Sequence, residues 1–530
     1  MFAIDIPSLT IALAQVFAYD TILFIALGLI IGITAGAIPG LGHGLPIALA
    51  LPLTLIIPFN QSIGLLIGIY KGGNFGGSIT AVSFGTPGTS GAAATVDDGY
   101  ALTKKGRGRE ALGMCLYSST FGDTLSDLVL IFAAIPIGLF APRLGPFELT
   151  ALFTLSLTLV IFFAADDPPR GLASAGIGFF LAVIGRDVLG PQVRYTFGIS
   201  ALRSGVPLVP LLMGMFAFPE MIYQLHQWIQ RYVYAARAQK DMQNAQEEGT
   251  KKMRMFFCDD NTQSTEYSSK ESADKSGPPL SFKNFVKSWR GLAIGTICGT
   301  VFGALPGPGA TVSSYSAYGL AKRFSPYAEF YGKGSLEGLA SAESANSATT
   351  GATFIPLLTF GVPGSSIAAL FLAALLLQGI PVGPRVIVDH PATVYTLFLV
   401  LLVANPMILL IGKVLIPIFS RICMLSAHYL WPIIGLTALI GTYSLNNRAV
   451  DMLLALAAGL LGFLFRRFRI PIGPFILTYM VSPLFEAALR QSISLSRGNI
   501  LNFFSSSISI TLWSFVVVAV LLFIRRKKKA

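Results

Sequence analysis

The sequence predicts an all-α, polytopic membrane protein of about 12 transmembrane segments, built as two inverted repeats with broken or re-entrant helices. Three observations predict it: an apolar composition, a Gly/Pro pattern that occurs twice, and a charge bias that reverses between the two copies.

Of 530 residues, 53% are hydrophobic and 12% charged, and the mean hydropathy is +0.67. That is more apolar surface than one soluble core hides, so lipid is part of the solvent. Crossing a hydrocarbon layer of roughly 30 Å takes about 20 helical residues. Ile22–Ile38, Leu149–Ala165, Val394–Ile411, Ala449–Phe465 and Ile508–Ile524 meet that requirement, whereas Gly44–Phe59 is shorter and interrupted by Pro. The start, Met1–Thr10, has Asp5 and no Lys or Arg. It lacks the basic flank of a cleavable signal, and the first apolar segment is expected to stay.

The net charge of +12 could suit nucleic acid, but the positive residues gather in loops and in the tail Arg525–Lys529. In a membrane protein that pattern marks cytoplasmic loops facing anionic lipid, so the bilayer is the expected partner and nucleic acid is not. From Arg237 to Ser288 the chain is polar and charged, and no segment there could cross a membrane. The expected organisation is a first membrane repeat over 1–236, a cytoplasmic linker over 237–287, a second repeat over 288–490, and a C-terminal transmembrane helix with a basic tail over 491–530.

The two hydrophobic halves resemble one another. Gly28, Gly32, Gly36, Pro39, Gly40 and Gly42 recur as Gly295, Gly299, Gly303, Pro306, Gly307 and Gly309, at a constant offset of 267. A second element, Phe84-Gly85-Thr86-Pro87-Gly88-Thr89-Ser90, recurs as Phe360-Gly361-Val362-Pro363-Gly364-Ser365-Ser366, at an offset of 276. After the first motif the uncharged turn Pro58-Phe59-Asn60 corresponds to a turn carrying Lys322 and Arg323. After the second the bias reverses, with Lys104, Lys105, Arg107 and Arg109 against Arg385. If basic loops stay inside, equivalent loops lie on opposite faces and the repeats are inverted. Arg186, Arg194 and Arg203 then fall on the outer side, against the trend.

Pro removes a backbone donor and Gly tolerates unusual backbone angles, so Pro-Gly inside an apolar segment interrupts a helix. In hydrocarbon the freed amides and carbonyls are tolerated only where protein or a watery cavity satisfies them. The breaks at Pro39-Gly40, Pro87-Gly88, Pro306-Gly307 and Pro363-Gly364 therefore predict a polar pocket near mid-membrane. Half-helix N-termini favour an anion there, and exposed carbonyls and hydroxyls suit Na⁺. The residues expected at the substrate are Asn74, Ser78, Thr86, Pro87, Gly88, Thr89, Ser90, Asn346, Pro363, Gly364, Ser365 and Ser366, with Thr80, Ser313 and Ser347 nearby. The residues expected at the ion are Pro39, Gly40, Gly42, Pro306, Gly307, Gly309 and Thr311. The plainer alternative for the ladder Gly28/Gly32/Gly36 is close helix packing, and for single Ser or Thr residues it is a bond to their own backbone.

Ionisable residues in apolar surroundings are the other pointers. Asp123 and Asp127 share a helical face, Lys71 lies beside the motif, and Glu337 and Glu343 flank the polar run of the second half. The carboxylates could instead pair with Lys or Arg to fasten helices, and Lys71 could attract an anion or belong to such a pair. Cys115, Cys258, Cys298 and Cys423 have no metal-site spacing, and His43, His226, His390 and His428 are scattered. No metal centre, no cofactor and no enzyme are expected: GxSxG, HExxH, Walker A and dinucleotide motifs are missing. A passive anion channel and a membrane-embedded transferase are the rival readings.

GITAGAIPGLGHGLPIALALPLT, IYKGGNFGGSITAVSFGTPGTSGAAATVDDGYALTKKGRGRE and AADDPPRGLASAGIGFFLAVIGRD, with GALPGPGATVSSYSAYGLAKRFS and EGLASAESANSATTGATFIPLLTFGVPGSS in the second half, resemble the large membrane subunit of the tripartite tricarboxylate transporters over roughly residues 20 to 490. The resemblance implies a multi-pass secondary transporter of the bacterial inner membrane, coupled to a cation gradient with Na⁺ as the expected ion. It also implies a small four-helix membrane subunit, a periplasmic solute-binding protein and a small di- or tricarboxylate substrate as partners. Many relatives read Leu-Leu-Asn-Thr-Pro-Gly where this chain has Ser83-Phe84-Gly85-Thr86-Pro87-Gly88. Gly85 in place of Asn weighs against a tricarboxylate specifically, while the loop geometry is expected to survive.

Overall fold

Two helices rich in Gly, Ala and Ser form the centre of the protein. In the computed structural model, which describes residues 5–38, 41–163, 168–219, 221–223, 229–230, 277–422 and 430–527, every residue from Ser62 to Ser83 in the helix Phe59–Phe84 is buried. The same holds from Glu337 to Ala352 in the helix Leu336–Ala352. Small side chains all round let neighbouring backbones come close on every face.

The helix Tyr19–Gly36 uses this closeness fully. A Cβ at Gly28, Gly32 or Gly36 would strike the carbonyl of Leu65, Ile69 or Gly73, and one at Gly68, Gly72 or Gly76 would strike that of Ile25, Leu29 or Ile33. Both sets of numbers rise together, so the helices run parallel. The chain returns between them through the short helix Gly44–Ala50 and the turn Leu51–Leu55. The second half repeats the arrangement. Gly291, Gly295 and Gly299 of the helix Trp289–Ala304 lie against the carbonyls of Glu337, Ser341 and Ala345, and the helix Gly309–Phe324 makes the return. The ladder is thus a packing device. Where the two central helices meet, Asn74 bonds Thr350 at 2.8 Å and Ser78 bonds Glu343 at 2.7 Å. The numbers now run in opposite order, so these two helices are antiparallel.

Around this centre stand Gly108–Phe140, whose Gly122 abuts the Ser344 carbonyl, and Pro391–Ile422. A second group, Pro146–Phe163, Pro168–Ala182, Ile472–Ser496 and Ser507–Lys527, packs together beside them. Strand among the described residues is limited to the antiparallel pair Gly185–Arg186 and Val193–Arg194. Five helices among the described residues are long and apolar enough to cross a membrane: Tyr19–Gly36, Gly108–Arg143, Pro391–Pro417, Ala449–Arg467 and Ile472–Ser496. Shorter apolar helices such as Gly44–Leu55, Pro146–Phe162 and Ser366–Leu377 accompany them. The five long ones are identified by length and composition alone. Large apolar side chains such as Leu27, Ile297, Val414 and Leu460 point outward, as a surface facing lipid requires.

On the rim, Arg194 makes a two-pronged pair with Glu486 at 2.7 and 3.0 Å, and Arg490 bonds Asp187 at 2.8 Å. The bond from Arg490 holds the Asp187 carboxyl below the ordinary range. The charge of Arg194 is therefore matched locally, while Arg186 and Arg203 are exposed. Pro39-Gly40 and residues 237–276 of the 237–287 linker lie outside the described residues, and the linker's end carries the short helix Phe282–Lys287.

Gly32→Ala and Gly299→Ala are expected to force the parallel pairs apart and to cost about 1–3 kcal/mol each. Both should lower the midpoint of thermal unfolding in detergent, whereas Gly176→Ala, where a methyl meets nothing within 4 Å, should not. Equal midpoints for all three would remove the ladder's structural role.

Candidate functional site

In each half the helix that precedes the second break stops at a glycine in the left-handed region. Gly85 (φ +70°) ends Phe59–Phe84, and Gly361 (φ +73°) ends Phe354–Phe360. That conformation favours Gly at the position after a helix, with Asn as the usual substitute. Gly85 therefore meets a backbone requirement that Asn also meets.

After each stop the chain folds back on the end of the glycine ladder. The Gly88 amide donates to the Gly77 carbonyl at 3.1 Å, and a Cβ on Gly88 would strike the Gly36 carbonyl. In the second half the Gly307 amide donates to the Gly364 carbonyl at 3.1 Å, and a Cβ on Gly364 would lie 3.0 Å from the Gly303 carbonyl. The Gly88 and Gly307 amides are thus satisfied within their own half, as a low-dielectric interior demands. Gly88 and Gly364 are needed for this contact whether or not a ligand meets them.

The halves also interlock. Gly91, three residues past Gly88, lies against the side-chain oxygen of Asn346 and the methyl of Ala310, and Gly44 lies against Ile367. Each post-break segment therefore abuts the returning helix of the other half. Around this junction several buried polar atoms have no hydrogen-bond partner among the described residues: Asn346 Oδ1 and Nδ2, Ser347 Oγ, Ser313 Oγ and Thr89 Oγ1. Orphaned polar groups are costly and rare, and each calls for an explanation such as a ligand that completes its bonding. Of these residues Thr89 lines a cavity of about 660 Å³, which is also bordered by Gly42, His43, Pro87, Ser90 and Ser366. Arg466, stacked over the Tyr223 ring at 3.8 Å, is on its wall.

The expected site residues divide accordingly. Gly42, Pro87, Gly88, Thr89, Ser90 and Ser366 border the cavity, Thr86 is exposed at the turn, and Asn346 stands behind Gly91. Asn74 and Ser78 bond the opposite central helix. Ser365 caps its own helix by accepting from the Ala368 amide at 3.1 Å. Pro306, Pro363 and Gly364 are buried, Gly307 packs on Leu159 and Val160, and Gly309 and Thr311 are half-buried; none of these six borders the cavity. Pro39 and Gly40 lie outside the described residues. Among the described residues no cluster of His, Cys, Asp and Glu could hold a metal ion.

Lys71, Asp123 and Asp127 form one buried group. The Lys71 ammonium lies 2.7 Å from Asp127 Oδ2, 2.5 Å from Asn405 Oδ1 and 3.6 Å from Asp123 Oδ1, and Asn405 Nδ2 donates to Asp127 at 2.8 Å. The group fastens Phe59–Phe84, Gly108–Phe140 and Pro391–Ile422 together, which favours the helix-fastening alternative for both carboxylates. Asn405 and Arg466 had no sequence signal, because each sits on an ordinary apolar helix far along the chain from its partners. Lys71→Ala should strand two buried carboxylates and cost about 3–5 kcal/mol. Lys71→Met combined with Asp123→Asn and Asp127→Asn should recover much of the thermal stability. A triple variant no more stable than Lys71→Ala would show that the pairing is not what Lys71 supplies.

Residues 22–477 match the family model described as the tripartite tricarboxylate transporter TctA family. An uncharacterized 52.8 kDa protein of the TAR-I ttuC′ 3′ region of Agrobacterium vitis is 32% identical over 505 residues, covering 94% of this chain and 93% of that protein. An uncharacterized protein of the TAR-II ttuC′ 3′ region of the same organism is 34% identical over 224 residues, covering 42% of this chain and 93% of that protein. No solved structure matches. With a duplicated broken-helix core and a family match over most of its length, this polytopic membrane protein belongs to the tripartite tricarboxylate transporter TctA family.

Proposed function

We propose that the chain is the permease subunit of a secondary, Na⁺-coupled, binding-protein-dependent transporter that takes up a small carboxylate of the di- or tricarboxylate class across the bacterial inner membrane. The observation that carries the reading is the cavity where the first-half break meets Ser366 of the second half, with the orphaned Thr89 hydroxyl on its wall and the orphaned Asn346 amide behind Gly91. Amide and hydroxyl groups can hold a carboxylate without a permanently buried charge, and hydroxyl and carbonyl oxygens suit a small hard cation. Membership of a family of tripartite transporters supports a small membrane subunit and a solute-binding protein as partners.

In this reading the two halves are inverted repeats within about 12 segments, an arrangement supported by parallel pairs inside each half and antiparallel contact between them. The substrate meets the first-half breaks and Ser366, and the two halves move relative to the membrane to expose the site on alternate faces. Arg466 borders the cavity, and Arg467 and Arg469 follow it in the chain. Basic loops face the cytoplasm, so the cavity corresponds to a state open inward.

The test is uptake of radiolabelled citrate, succinate and malate into right-side-out vesicles from cells expressing the chain with its neighbouring genes. Accumulation against a gradient should occur with Na⁺ outside and cease when choline replaces it. Accumulation that persists in choline with the proton gradient collapsed removes Na⁺ coupling, and equilibration without accumulation identifies a channel. Asn346→Ala and Thr89→Ala should each raise the KM about tenfold, the equivalent of one hydrogen bond to a charged group. Unchanged KM in both would move the site elsewhere.

A further inference from the structure

At the centre of the protein Asp123 and Asp127 of Gly108–Phe140 and Glu343 of Leu336–Ala352 are almost completely buried, as is one ammonium, Lys71 of Phe59–Phe84. Lys71 is engaged by the two aspartates, which leaves Glu343 with no cation: among the described residues no Lys, Arg or His lies within ion-pair distance of it. Its side chain is fully buried. Instead of a charge it has three hydroxyls. Ser78 and Ser119 bond Oε2 at 2.7 and 3.2 Å, and Thr95 bonds Oε1. The hydroxyls come from three elements of the first half, and the glutamate from the second.

The surroundings offer no other compensation. On Gly108–Phe140 the ionisable groups one helical turn either side of Ser119 are Cys115 and Asp123, and on Phe59–Phe84 Lys71 is two turns from Ser78. On Val96–Lys104, Asp98 is taken by the amides of Gly332, Gly334 and Ser335 and by the hydroxyl of Tyr318 from Gly309–Phe324. Trp289–Ala304 contributes Cys298. An ionised carboxylate left unpaired in such a place is expensive, whereas a neutral acid is tolerated.

We propose that Glu343 is a proton-binding site and that its carboxyl gains and loses a proton during the transport cycle. The three hydroxyls fit both forms, because a hydroxyl both donates and accepts. All three donate to the carboxylate. When a proton from the aqueous side forms the acid O–H, that O–H donates to one hydroxyl oxygen, and the displaced hydroxyl hydrogen turns to a backbone carbonyl of its own helix. Release reverses the step. The 2.7 Å separation of Ser78 from Oε2 is that of an O–H···O bond.

The position links the proton to the substrate site. Ser78 follows Gly77, whose carbonyl holds the Gly88 amide, and Asn346 lies one turn beyond Glu343, against Gly91. A change in charge at Glu343 therefore acts on the floor of the cavity and on the contact between the halves. The transport role rests on the carrier reading, whereas the proton site itself does not.

Infrared titration of the purified full-length protein in lipid separates the two. A carboxylic-acid C=O band that appears and disappears across the accessible pH range should be present in the wild type, lost in Glu343→Gln and kept in Asp123→Asn. Ser119→Ala, a small change that retains the glutamate, should shift its frequency. In vesicles, citrate uptake stimulated by an imposed pH gradient should lose that stimulation entirely in Glu343→Gln. No titrating band, or a band unaffected by Glu343→Gln, overturns the proposal whatever the transport result. A band assigned to Glu343 with pH-gradient stimulation unchanged in Glu343→Gln overturns its part in transport. Absence of carboxylate uptake by the wild type overturns the carrier reading and leaves the proton site to be decided by the band.

Discussion

Everything in this architecture follows from one constraint: a backbone amide or carbonyl freed inside a low-dielectric interior must find a partner. Pro-Gly interrupts helices in both halves, and the Gly88 and Gly307 amides are satisfied within their own half, as Gly307 and Gly364 show directly by their 3.1 Å hydrogen bond. That solution works only if backbones come nearly into contact. The glycine ladders provide the contact, since a single methyl at Gly36 or Gly303 would displace the surface on which the second break rests. Close packing and broken helices are therefore one device.

The same economy governs charge. Polar side chains on the central helices are short, and most bond either the opposite helix, as Asn74 does with Thr350, or their own backbone, as Thr349 does with Asn346. Lys71 is the exception, a full ammonium buried among two carboxylates and an amide. Replacing such a group by apolar residues is often neutral for stability, and losing one partner is not. Its value lies in tying three helices in one register while leaving the Glu343 end of the interface without a fixed cation.

Much of this was legible in the chain itself. The recurrence of Gly28–Gly42 as Gly295–Gly309 marks the parallel pairs, since glycines spaced by four fall on one helical face. The second motif marks the chain reversals, and the left-handed stops at Gly85 and Gly361 account for its glycine. What periodicity cannot express is contact between segments hundreds of residues apart. Nothing near Asn405 announces that it bonds Lys71 and Asp127, and nothing in AESANS tells which of Glu343 and Asn346 is bonded and which is left open. Those outcomes depend on helix rotation within the assembled core, a three-dimensional property. Apolar length alone does not mark the central helices as spans, because Phe59–Phe84 is rich in Gly and polar residues and Leu336–Ala352 has 17 residues.

The two halves are alike in construction and unlike in surroundings. Beside the first-half breaks is a cavity walled by Phe216, Ile472 and Arg466, whereas the second-half break at Gly307 is packed against Leu159 and Val160. Two copies of one unit have equal intrinsic preferences, so this inequality must come from the helices that flank them. An exchange of environments would open the second side and close the first at little net cost, because the packing that one copy gives up resembles the packing that the other takes on. In the proposed carrier, duplication with antiparallel contact would supply two states, and Glu343, held by hydroxyls from across the interface, would stand at the contact that changes between them.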